Sequence, residues 1–146
     1  MEEYKITEKD LMIGDWVAVT EINGKKVIGW QTIRIEPEHI WAIGQGKMKV
    51  MPVPLTGEIL TKNGYRKTGN GDRGWGIEDR EHTISRSYTV ISINLGGELG
   101  YEIYDKGFED PDEYWCGGEM DIDRCLSVHD LQHFYKLIGY QKDVII

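Results

Sequence analysis

Asn23-Gly24 is the feature that most limits what this chain can fold into. It stands between the β-rich runs DWVAVTEI and KKVIGWQTIRI. A two-residue turn in which both residues need positive φ takes Asn-Gly more readily than other pairs, and its twist matches that of the flanking strands. The chain is thereby directed to an antiparallel hairpin, with strands predicted over 15–22 and 25–35. The apolar phase shifts around Gly29, which predicts a bulge there. Two further strands are predicted over 39–43 and 47–53, separated by Gly44-Gln45-Gly46. Four short strands within residues 11–54 predict an antiparallel SH3-like sheet or barrel, with Trp30 and Trp41 lining its core.

A short helix is predicted over 55–64. Thr56 can accept hydrogen bonds from the free N–H groups of the first turn. Leu55 and Leu60 occupy the two positions that staple the incoming chain to the helix. Glu58 and Lys62 match the helix dipole, and Gly64 supplies a left-handed stop. Residues 65–126 predict a second β-meander with two long loops. The stretch KTGNGDRGWGIEDREH (67–82) is polar and glycine-rich and reads as the first loop. Strands follow at 83–93 and 99–104 around a Gly96-Gly97 turn, and the acidic segment DKGFEDPDEYW (105–115) reads as the second loop. A C-terminal amphipathic helix is predicted over 127–139. Val128, Leu131, Phe134, Tyr135, Leu137 and Ile138 fall on one broad face packed on a sheet. Ser127 and Asp130 form a capping-box-like pair, and Gly139 ends the helix. Residues 143–146 could add an edge strand. The fold class is α+β in a single domain, residues 1–146.

With 146 residues, of which 40% are hydrophobic, the chain can bury a core without staples. No apolar run reaches the roughly 18–20 residues of a membrane helix. The charged opening MEEYKITEKD has no apolar signal region, and two cysteines fit free thiols in a reducing compartment. The expectation is a cytoplasmic protein without membrane association.

The net charge is −8, and it is uneven. Residues 1–67 carry ten basic and nine acidic groups, whereas residues 68–146 carry seven and sixteen. Between Glu98 and Asp123, ten carboxylates face the single cation Lys106. Such a surface repels phosphate backbones, which weighs against direct nucleic-acid binding. A solvated acidic loop, a dock for a basic protein and a mimic of nucleic-acid charge all remain open. Exposed aromatics beside charges are used as anchors at interfaces, so Trp75, Asp110, Asp112 and Trp115 in the two loops are the candidate protein-binding residues.

Signals for chemistry are weaker. His129 and His133, four apart on a helix, share a face and could clamp a metal, and Cys116 and Cys125 would complete a zinc-type donor set. The helical wheel nevertheless turns His129, His133 and Lys136 to solvent, and eight residues between the cysteines are too many for a zinc knuckle. Gly69-Asn70-Gly71-Asp72-Arg73-Gly74 matches a dinucleotide fingerprint literally, but no apolar strand precedes it and no helix follows. Asp105, Glu109, Asp110 and Asp112 lack the spacing of an EF-hand. No Ser or Cys nucleophile has a base at a known motif spacing. No metal or cofactor is expected, and no catalytic residue is assigned.

Three segments carry a family resemblance: LMIGDWV (11–17), MPVPLTGEILTKNGY (51–65) and SVHDLQHFYKLIGY (127–140). Together they resemble small uncharacterised proteins abundant in Bacteroides-type gut bacteria and in their phages and mobile elements. That pattern has an Ile-Gly-Asn-like first strand, a Pro-Ile-Pro-Leu-Thr segment before a helix, and a Val-His-Gln-Leu-Gln-Asn helix near the end. His129 matches its histidine, whereas His133 stands where the pattern has Asn. The resemblance implies no chemistry. The expected function is a non-enzymatic, protein-binding accessory factor of a phage or mobile element, with a partner that could be basic. The alternatives are a zinc-binding domain or metal-dependent hydrolase using His129 and His133, and an acidic DNA-mimic inhibitor of a DNA-binding enzyme.

Overall fold

The computed structural model describes residues 6–68, 73–79, 87–105 and 114–146, with side chains at 87–88, 105 and 114–116 outside that description. The architecture is α+β, and the described residues form two antiparallel sheets and three α-helices. The chain divides into two compact units, Met1–Pro54 with Ser127–His129, and Leu55–Leu126 with Asp130–Ile146.

In the first unit, β1 (Trp16–Ile22) and β2 (Lys25–Arg34) form the expected hairpin across Asn23-Gly24, both at positive φ. Strand β3 (Met48–Pro52) pairs with the other side of β1, giving the order β2-β1-β3. The sheet is open: it has three strands and does not close into a barrel. The segment predicted as its third strand is instead helix α1 (Pro37–Gly44). The reason is local. Pro37 at the first helical position has its φ already set for a helix. The backbone N–H of Glu36 donates to His39 Nδ1 at 3.0 Å, which closes the first turn. A five-residue apolar run does not distinguish strand from helix. Ile40 and Ile43 of α1 pack against the core cluster Leu11, Val17, Val19, Ile35 and Val50.

The second unit opens on α2 (Gly57–Lys62), where Thr56 Oγ1 accepts from the Ile59 N–H at 3.3 Å as expected. Leu55 and Leu60 are both buried, and Gly64 takes its left-handed turn. Strands β4 (Arg66–Lys67), β5 (Gly74–Asp79), β6 (Ser87–Asn94), β7 (Glu98–Asp105) and β8 (Tyr114–Asp121) follow as a five-stranded meander in sequence order. Residues 74–79 and 114–115, predicted within loops, therefore lie in strands. Directly opposed residues share a face. The pairing places Trp75, Ile93, Leu99 and Met120 on one face, together with Ile77, Ile91 and Tyr101. Helix α3 (Val128–Ile138) covers that face, with the Phe134 ring edge-on to Tyr101 at 5.9 Å. The C-terminal residues form no strand. They are held by Asn63: its Nδ2 donates to the Ile145 carbonyl at 2.7 Å, and its Oδ1 accepts from the Ile145 N–H at 2.8 Å.

Candidate functional site

The residues expected to bind a partner are not assembled into one surface. Trp75 is a core residue, only 7% exposed. A Cβ added to Gly57 would stand 2.5 Å from its ring, so the indole fits only because position 57 has no side chain. It is therefore not an exposed anchor. Asp110 and Asp112 lie outside the described residues, as do Glu109 and most of the fingerprint at 69–74. Trp115 lies on β8, but its side chain is outside them too.

The expectation that His129 faces solvent is overturned. It is 1% exposed, and residues Leu126 to Gln132 are buried without a break. Burial of the polar side of α3 is possible because its groups find partners. Ser127 Oγ and His129 Nδ1 lie 2.9 Å apart, and Arg124 makes a two-pronged contact with Asp130 at 2.5 and 2.7 Å. Arg124 is a partner for Asp130 that the predicted capping box did not include. A hydroxyl on an imidazole is the beginning of a nucleophile–base pair, and the sequence reading missed it. Both members of the pair are buried, Ser127 at 3% exposure. His133 is half-buried, Cys125 is an exposed free thiol, and Cys116 lies on β8 opposite Ile103. Among the described residues, only Glu36, Glu38 and His39 bring three ligating atoms within 4.8 Å of one another. That trio is the capped start of α1, and its His39 Nδ1 already accepts the Glu36 N–H.

A buried polar chain lies in the second unit. The Tyr65 and Tyr135 hydroxyls meet at 2.5 Å, the Tyr140 hydroxyl donates to Asp79 Oδ2, and the Tyr135 and Tyr140 rings meet edge-on at 4.7 Å. Burial pushes all three phenols above their ordinary value; for Tyr140 the hydrogen bond to Asp79 adds to it. These groups hold their protons near neutral pH and supply no base there. Raised folded pKa values mean that their stabilisation is complete below the unfolded phenol pKa of about 10 and is lost as pH rises above it. Each phenol should contribute a slope of up to about 1.4 kcal/mol per pH unit in that alkaline range. Urea unfolding above about pH 10 should show this loss, and Tyr65→Phe should flatten it. Equal stability across the alkaline range would contradict the assignment.

Two surfaces remain. The first is the hairpin. Val19 pairs with Gln31 and Glu21 with Lys26, so Thr20 alone faces the four residues Val27 to Trp30. The bulge expected at Gly29 is present, with Gly29 at φ +63°. Its consequence was not foreseen: Ile28 is 99% and Trp30 59% exposed. Trp41 is also exposed, its ring under the Lys47 ammonium at 4.6 Å. Both tryptophans assigned to the core are thus on the surface. The extra residues at the bulge turn Ile28 and Trp30 outward, and α1 directs Ile40 and Ile43, not Trp41, toward the core.

The second surface is the face of the five-stranded sheet opposite α3. Pairing places Gly76, Ser92, Gly100 and Glu119 in one row, and Gly74, Asn94, Glu98 and Asp121 in the next. Glu98 and Asp121 are direct cross-strand partners, a like-charge arrangement that costs stability. Arg66 borders the face opposite Gly76.

Comparison with known proteins finds no matching family model, no matching curated protein and no matching solved structure.

Proposed function

We propose that the chain is a non-enzymatic, protein-binding accessory factor, acting in the cytoplasm of a cell that carries the phage or mobile element its resemblance points to. The observation that carries this reading is the Ile28-Gly29-Trp30 protrusion. Burying a side chain of this size is worth about 1.5–3 kcal/mol, and the fold leaves two of them in water on the strand that follows the turn. A bulge by itself protects a strand edge from aggregation, but a lysine or proline there would do so without exposing a tryptophan. Tryptophan is among the residues most enriched at the energetic centres of protein interfaces. Gly29 is part of the device. Nothing lies within 4 Å of a Cβ added there, so its left-handed backbone, and not crowding, is the constraint.

The test is a quantitative pull-down comparing the wild-type chain with an Ile28→Ser, Trp30→Ala double variant. Because both side chains are exposed, the variant should unfold within about 0.5 kcal/mol of wild type. It should recover at least about tenfold less of any protein the wild type retains. Equal recovery of every retained protein would refute this reading.

A further inference from the structure

We infer that the hairpin's partner is a second copy of this chain, and that Ile28 and Trp30 seat on the acidic face of the other copy's five-stranded sheet. This rests on the hairpin being a binding surface. It adds the identity of what the hairpin binds, and complementarity of charge and shape supports it.

The hairpin is basic as well as apolar. Its outer strand, Lys25 to Arg34, carries three cations and no carboxylate, while β1 supplies Glu21 opposite Lys26. Lys25 and Lys26 are exposed beside the protrusion. A partner should therefore offer a recess for an aromatic side chain, with carboxylates at its rim and no competing cation in its centre. Among the described residues, the sheet face opposite α3 offers such a recess, with Arg66 and Arg73 at its edges and not in its centre. Gly76, Ser92 and Gly100 lie side by side on three consecutive strands. With strands about 4.8 Å apart, that is a strip roughly 10 Å wide whose own side chains are no larger than that of serine, bordered by the Thr68 side chain at Gly76 and the Glu119 side chain at Gly100. A cavity of about 230 Å³ lies there, lined by Gly74, Ser92, Asn94, Gly100, Glu119 and Asp121 among others. It is smaller than the roughly 300–1,000 Å³ of small-molecule pockets and suits one large side chain. Glu98, Glu119 and Asp121 are exposed around it. They do not converge as the ligands of one ion would, and so are suited to several separate ammonium groups. Two lysines arriving there would relieve the repulsion between Glu98 and Asp121.

The contact is small. One tryptophan, one isoleucine and two lysines lie well below a standard interface, which fits a dissociation constant of about 10 µM to 1 mM. It should also weaken with salt, because the charges involved are exposed. An anionic bilayer could satisfy the hairpin alone, but it would leave the acidic face unanswered and would repel a chain of net charge −8.

The test is sedimentation of the full chain over a range of concentrations at low and at high salt. Wild type should self-associate at low salt, and Trp30→Ala should weaken this at least about tenfold. Lys25→Glu with Lys26→Glu, and separately Glu98→Lys with Glu119→Lys, should each abolish self-association. An equimolar mixture of those two variants should restore it, because an acidic hairpin then meets a basic face. Self-association that survives Trp30→Ala, or a mixture that fails to associate, would overturn the inference. If wild type stays monomeric while the pull-down above still depends on Ile28 and Trp30, this inference fails and the protein-binding reading stands. If monomeric wild type instead sediments with anionic vesicles through the same two residues, the hairpin is a lipid surface and both fail.

Discussion

Gly97→Ala is expected to cost about 3–5 kcal/mol, the largest effect of any single substitution considered for the second unit. Gly97 ends the β6–β7 turn at φ +135°, a region that L-residues rarely occupy. A Cβ there would also collide with the Ile122 carbonyl oxygen and come within 2.8 Å of that of Arg124. Neither neighbour can yield, because both are backbone. The segment after β8 is tied to this turn by hydrogen bonds from the Ile122 N–H to the Gly97 carbonyl at 2.7 Å and from the Leu126 N–H to the Leu95 carbonyl at 3.2 Å. The strained backbone and the overpacking therefore add. Chemical denaturation should show the loss as a lower midpoint, or the variant should fail to accumulate as folded protein. A midpoint within error of wild type would show that the turn is not pinned as described.

Asn63→Ala is expected to cost about 2–4 kcal/mol, from several buried hydrogen bonds at roughly 0.5–1.5 kcal/mol each and an incompletely refilled site. Asn63 is buried at the end of α2, and one amide serves both the Ile59 carbonyl and the backbone of Ile145. Its own carbonyl accepts from the Lys142 ammonium at 2.8 Å. The C-terminal residues form no strand of their own, and this clasp ties their backbone to the end of α2. It keeps Val144 in the core. Loss of the amide should release the tail before the rest of the unit unfolds. Carboxypeptidase should then trim the variant under conditions where wild type resists. Equal resistance would contradict the clasp.

What was legible in the sequence was local. Asn23-Gly24 marked its hairpin because few residues tolerate two positive φ values in a row. Thr56, Leu60 and Gly64 marked α2 because its cap, staple and stop all lie within one short segment. Gly29 was correctly suspected of a bulge. What failed depended on partners distant in the chain. The helix at Pro37 was hidden by a short apolar run, although Glu-Pro-Glu was a usable sign of a helix start. Strand β5 was taken for a loop because Gly74 and Gly76 look like turn residues, and the start of β8, which runs on through Gly117, because it closes an acidic segment. In the sheet, the glycines at 74, 76 and 117 form part of a bare face. His129 was placed in water because periodicity identifies one buried side of a helix and is silent about a second. Trp30 was placed in the core on hydrophobicity alone, yet the phase shift at Gly29 was the sign that it leaves it. The same error moved the candidate site: attention went to Trp75, which is packed on Gly57, and away from the tryptophan that the bulge exposes.

Trp30 stands in solvent and should become covered when the hairpin is occupied. Fluorotryptophan NMR tests this directly, with Trp30→Phe identifying the resonance. In dilute protein that resonance should shift with a change of solvent isotope. As concentration rises at low salt it should move or broaden. A Trp30 resonance insensitive to solvent in the dilute protein, or one unchanged while the chain self-associates, would contradict the account.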